Sequence, residues 1–242
     1  LINAGFHINN NAVHEGHYTS HEFPHFIQDL PYHFPGNPEL GRLIAEEATA
    51  LGVKTRAHEV KSLDLEYGTI LPMRYMNADG EQKVVSIAGW STFGSLEESR
   101  IVGEAVARAV ARSDCRAALI ASGSLSHRFA QNGLAPEFAF KIWSPLLERL
   151  DHEVIQMWKN GEWNDFCAML PEYATKGHGE GMMHDTAMLL GALGWSAYDG
   201  KMEVVTPYFA ASGTGQMNAV FPVTRQDGSA VPGPEASRAT GF

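Results

Sequence analysis

The chain has 242 residues, of which 44% are hydrophobic and 19% charged, and its formal net charge is −10. This is the composition of an ordinary globular protein, long enough for one sizeable α/β domain. The negative balance argues against nucleic acid and anionic membranes as partners, since binding phosphates needs clustered Lys and Arg, and no apolar run approaches the roughly 20 residues of a membrane span. The two cysteines, Cys115 and Cys167, sit in apolar contexts without metal-ligand spacing and read as reduced thiols of a cytoplasmic protein.

The first stretch, LINAGFHIN, has neither the basic start nor the apolar core of a signal peptide. It reads as the middle of something, so the chain is expected to be a fragment or a processed product. Residues 1–36 are rich in His, Phe, Tyr and Pro, show no clear period, and are expected to form a strand remnant followed by ordered loop. Asn37 and Pro38 then open a helix that Gly52 closes, with Leu40, Leu43, Ile44, Ala48 and Leu51 on one face. A strand is expected over 53–60, a turn leading into a short helix over 66–77 with Pro72 near its start, and a strand over 83–88.

Ser95 and Glu98 have capping-box spacing and open a helix to about Arg112. A buried strand follows over 115–121. Helices are expected over 142–160 and 162–170, separated by Gly161, and over 180–193; late strands are expected over 202–209 and 218–223. Strands alternating with helices predict an α/β domain over 1–223. The tail over 224–242 is poor in apolar residues and is expected to be disordered.

Four stretches can carry chemistry. Six of the eleven histidines (His7, His14, His17, His21, His25 and His33) fall in the first 33 residues. Their i, i+3 and i+4 spacings would suit a metal, but Gly16 and Pro24 interrupt any helix and there is no HExxH pattern, so a polar loop is the expectation. In ASGSLSHRF (121–129), small residues leave room around His127 at a strand exit. The bland reading is a turn whose histidine merely touches solvent.

In KGHGEGMMHD (176–185), Glu180 is either a helix-start acid, favoured by free N–H groups and the helix dipole, or a metal ligand on a glycine-lined wall. His184, one turn on, reads as a core histidine. In LEYGTILP (65–72), Tyr67 is either a packed amphipathic residue or a phenol aimed into a cleft as donor or acid. The stretch AASGTGQMN (210–218) offers hydroxyls and N–H groups but lacks phosphate-loop spacing.

Taken in order, GSLSHRF, EYGTILPMRYMN, GEGMMHDTAMLLGALGW and SGTGQMNAVFP resemble the class III extradiol ring-cleavage dioxygenases, most closely the branch that cleaves 3,4-dihydroxyphenylacetate (homoprotocatechuate). The resemblance runs from Leu1 to about Val223. It implies a three-layer α/β/α fold with a central, mostly parallel or mixed sheet, incomplete at the N-terminus. It also implies extradiol cleavage of a catechol by O2 at a non-haem Fe(II) held by two histidines and one glutamate, with no external reductant because the substrate supplies the electrons.

By position, Glu180 matches the family's carboxylate ligand and His127 its acid/base histidine. Tyr67 falls where some relatives carry a histidine beside the substrate, as acid or contact. Ser212 and Thr214 fall where relatives bind the substrate's side group. Both ligand histidines of the family belong to segments ahead of Leu1, so this stretch taken by itself is expected to hold iron poorly and to leave apolar surface exposed. A cytoplasmic homo-oligomer in aromatic-compound catabolism is expected, with a catechol and O2 as its small-molecule partners. The alternatives are the same chemistry on protocatechuate or 2-aminophenol, an iron-free structural relative, and a module binding metal through the N-terminal histidines.

Overall fold

The computed structural model describes residues 5–21, 27–89, 94–131 and 133–223. They fall into two compact units. One takes the chain up to Gly123 together with Glu180–Trp195; the other takes Ser124–Gly179 together with the chain from Ser196. The expected tail and His25 lie outside the described residues.

The first unit begins with β1 (Phe6–Asn9), whose alternate residues Phe6 and Ile8 are buried. Where a loop was expected, β2 (Val13–Tyr18) and β3 (Leu30–Pro35) form an antiparallel hairpin with His14 opposite Phe34 and Gly16 opposite Tyr32. The period of two was present, but polar letters disguised it. His14 points inward and bonds the Val84 carbonyl at 3.0 Å, while its neighbours Val13 and Glu15 are exposed.

Asn37 caps α1 (Pro38–Ala50) by accepting the Leu40 N–H, with proline at the first helical position. β4 (Thr55–His58) follows, then α2 (Tyr67–Met76), β5 (Ser86–Ala88) and α3 (Leu96–Arg112). Pro72 falls mid-helix in α2 rather than near its start, because the helix already begins at Tyr67, where a turn was expected. Both bonds of the capping box at Ser95 and Glu98 are made.

β1 lies between β4, parallel to it, and β5, antiparallel to it, so the sheet is mixed and the class is α/β as expected. Ile8 packs with Leu40, Leu43 and Ile44 of α1 and with Val106 and Ala109 of α3; Phe6 packs with Ala48, Val53, Val102 and Ala105. The hairpin and α2 close over a second cluster of Tyr18, Tyr32, Phe34, Leu65, Ile70 and Val84.

Residues 115–121, expected as a buried strand, run without a strand partner among the described residues, and Leu119 and Ile120 are each 38% exposed. Apolar composition alone suggested the strand. A strand also needs a neighbour to bond. Cys115 and Cys167 are free and partly buried, and burial pushes the Cys167 thiol up to about 11.

In the second unit α4 (Pro145–Asn160) starts later than expected, because Trp143 is already committed to the Gly213 carbonyl and Ser144 serves as the cap. Gly161 ends it in the left-handed conformation that favours glycine. α5 (Trp163–Lys176) runs past Leu170 and through Pro171, burying Tyr173 and Ala174 on the same face as Phe166 and Leu170.

The chain then returns to the first unit, where α6 (His184–Leu193) starts after Glu180 rather than at it. Gly181, Met182 and Met183 all take positive φ and break the helix there. Back in the second unit, β6 (Glu203–Val204) pairs with β9 (Ala219–Val220), and β7 (Phe209–Ala211) with β8 (Thr214–Gln216). Of the expected strand at 202–209, only β6 and the first residue of β7 are extended in a ladder. Among the described residues no helix is long and apolar enough to cross a membrane.

Within the first unit α3 and α6 touch backbone to backbone. A methyl group at Gly103 would overlap the Met188 carbonyl, and one at Gly191 would overlap the Arg100 carbonyl. Helix propensity alone favours Gly103→Ala by about 1 kcal/mol. The overlap reverses the sign, because no side-chain rotation relieves a clash with backbone. We expect the variant to be destabilised by about 1–3 kcal/mol, read as a lower urea midpoint. An unchanged or higher midpoint would show that the helices are not in contact at this point.

Candidate active site

The segment from Ser124 to His127 is held on both sides. Toward β8, the Leu125 N–H donates to the Gly215 carbonyl at 3.0 Å and the Gly215 N–H returns a bond to the Ser126 carbonyl at 2.9 Å. On the other side the His127 N–H donates to the His178 carbonyl at 2.7 Å, and Ser126 bridges Gly179. His127 also bridges Thr214 across the hairpin. Its half-buried ring stacks near Phe129 at 6.1 Å between centroids.

The hairpin turns at Ser212 and Gly213, both with positive φ (53° and 86°), the pairing that a tight two-residue hairpin requires. The stretch AASGTGQMN is therefore built around this hairpin. It is pinned from outside as well: Ser212 donates its N–H to Ala139, and Gly213 donates to Phe138 and Lys141. Thr214 is buried. Its hydroxyl donates to the Ala211 carbonyl at 2.6 Å and accepts from Gln216 at 2.7 Å. Ser212 sits half-buried at the turn itself. The second unit thus brings His127, Ser212 and Thr214 onto one small framework.

Beneath that framework lies a residue that sequence reasoning did not single out. Asp151 of α4 is completely buried. It accepts the Ser126 N–H at 3.1 Å and the Ser126 hydroxyl at 2.7 Å, and the Tyr173 and Tyr208 hydroxyls at 2.7 Å each. Burial raises its carboxyl from the usual range, and these four donors pull it back. Burial and the Asp151 charge raise both tyrosines, which therefore stay protonated as donors. A signal was available: Asp151 shares the buried face of α4 with Leu147, Val154, Ile155 and Trp158. A carboxylate inside an apolar stripe needs partners.

Tyr67 and Glu180 belong to the first unit. Tyr67 opens α2 and packs against the Tyr18 cluster, with ring centroids 6.3 Å apart. Glu180 is half-buried between Gly179 and Gly181, at the head of the short turn that leads into α6. His184 is buried and its Nδ1 lies 2.6 Å from the Ser99 hydroxyl of α3, in keeping with a core histidine. Burial, reinforced by the charge on Glu180, pushes the neighbouring Asp185 carboxyl up to about 6.

The N-terminal histidines diverge: His14 faces the core, while His17 pairs with Asp29 at 2.8 Å on the exposed face of the hairpin. A carboxylate such as Glu180 is a suitable hard donor for Fe(II) or Mn(II). Among the described residues, however, no three His, Cys, Asp or Glu side chains converge to hold an ion. They do not by themselves make an iron site.

Comparison with known proteins identifies the family. The chain is 48% identical over 210 residues to 3,4-dihydroxyphenylacetate 2,3-dioxygenase of Escherichia coli, covering 87% of this chain and 76% of that protein. It is 26% identical over 167 residues to the 2-aminophenol 1,6-dioxygenase beta subunit of a Pseudomonas species, covering 65% of this chain and 54% of that subunit. Residues 1–222 match the family described as the catalytic LigB subunit of aromatic ring-opening dioxygenase. The chain therefore belongs to the LigB family of aromatic ring-opening dioxygenases.

Proposed function

We propose that this protein opens the ring of 3,4-dihydroxyphenylacetate with O2, with His127 as its acid/base residue, Fe(II) as its metal and Glu180 as one ligand to that metal. The observation that carries the reading is the 48% identity to a 3,4-dihydroxyphenylacetate 2,3-dioxygenase over 87% of the chain. The setting of His127 supports its role. Its backbone is fixed on two sides, its ring is partly open, and small residues precede it. An imidazole can take a proton from a catechol hydroxyl and later return one near neutral pH.

Both atoms of O2 enter the product, one carbon–carbon bond beside a hydroxylated carbon breaks, and the catechol itself is the reductant. Ser212, at the turn, is the contact for the substrate's side group. Thr214 shares that subsite chiefly by shaping the hairpin, since its hydroxyl is engaged inside it. Tyr67 is a substrate contact or acid. The net charge of −10 argues against nucleic acid and anionic membranes as partners, and the proposal takes the protein as a cytoplasmic homo-oligomer.

The likeness to a 2-aminophenol dioxygenase subunit supports a second reading, the same chemistry on an aminophenol. Substrate choice rests on a few pocket contacts, so turnover of 3,4-dihydroxyphenylacetate, protocatechuate and 2-aminophenol should be compared using protein expressed from the complete reading frame. The first should show the highest kcat/KM. Cleavage of 2-aminophenol alone would overturn the substrate assignment.

His127→Ala should retain its iron and bind catechol while losing turnover by about 10² or more, the scale of a lost acid/base group. A wild-type rate would remove His127 from the mechanism. Glu180→Ala should lose iron itself, measured as metal per chain after desalting. Full occupancy would contradict the ligand assignment.

A further inference from the structure

We propose that Asp151 is a positioning residue for His127, acting through Ser126. This rests on the acid/base reading of His127. Asp151 holds the residue next to His127 and, through Tyr208, the hairpin that carries the turn at Ser212. Its carboxylate grips Ser126 twice, by the backbone N–H and by the hydroxyl, so the main chain one residue ahead of His127 is fixed in both place and rotation. Its other two bonds come from Tyr173 on α5 and from Tyr208, which directly precedes β7. Three separate stretches of chain therefore meet on one side chain.

The approach is close enough to dictate the opposing residue. A methyl group at Gly215 would overlap Asp151 Oδ2, and Gly215 exchanges backbone bonds with Leu125 and Ser126. A purely structural position at the centre of α4 would be filled more cheaply by an apolar side chain of similar size, because a buried carboxylate must have every lone pair satisfied. What the carboxylate adds is direction. It accepts from donors on different elements, and apolar packing has no equivalent constraint. The main chain at His127 is thus fixed by Ser126, His178 and Thr214. A misplacement of about 1 Å at such a group can cost about 10²-fold in rate.

The test is a double-mutant cycle on the iron-loaded enzyme, read by single-turnover kinetics with 3,4-dihydroxyphenylacetate. Asp151→Asn should lower the rate by about 10- to 100-fold while leaving iron content unchanged and KM within about twofold. In a His127→Ala background the same change should cost almost nothing, because a positioning residue has nothing left to position. Ser126→Ala removes only one bond and serves where Asp151→Asn fails to fold. It should show a smaller loss with the same non-additivity.

Multiplicative losses in the two backgrounds, or a loss that appears only in KM or iron content, would overturn the proposal and leave Asp151 as a packing residue. A wild-type rate in His127→Ala would instead remove the reading on which the proposal rests. The two failures are thus distinct.

Discussion

A buried carboxylate with four hydrogen-bond donors sets the architecture of the second unit. Taking a charge out of water costs several kcal/mol unless it is fully bonded. Asp151 is fully bonded only if Ser126, Tyr173 and Tyr208 all stay in place. That requirement draws α5 and the Tyr208 end of the β7–β8 hairpin toward α4, and it makes glycine the only residue that fits at 215. The small ladder bearing His127 is short and would be weak alone. Its rigidity comes from the polar cluster below it and from the backbone bonds on its two edges.

The first unit is organised differently. Its sheet is narrow, and its cohesion comes from β1 packing on α1 and α3 and from α3 meeting α6 through glycines. Left-handed backbone at Met182 and Met183 is uncommon for residues with a Cβ and persists only where the surroundings impose it. It falls directly after Glu180, the proposed iron ligand. In both units the residues assigned to chemistry thus sit beside an unusual constraint: a saturated buried charge beside His127, and strained backbone beside Glu180.

The parts of this arrangement that could be read from sequence are those written in local chemistry. The caps at Asn37 and Ser95, the stop at Gly161 and the apolar stripe of α1 each depend on residues a few positions apart. The β2–β3 hairpin escaped notice because a buried histidine counts as polar in any pattern of alternation. The expected strand at 115–121 failed for the opposite reason: its residues suit a strand, but pairing depends on a partner elsewhere in the chain. Asp151 is the clearest case. It reads as one more acidic residue in a charged helix until the fold brings a serine and two tyrosines from distant positions onto it. His127 and Glu180 stood out through their glycine- and serine-rich surroundings and through resemblance to a family. Spacing alone did not separate either from a bland alternative.

The central claim, oxidative opening of a catechol ring, is tested most directly by isotope. The iron-loaded protein would be given 3,4-dihydroxyphenylacetate under 18O2 and the product weighed by mass spectrometry. The account predicts a ring-opened product carrying both labelled oxygen atoms, formed without added reductant. A product with one labelled atom or none, or catechol recovered unchanged from protein with full iron occupancy, would contradict it.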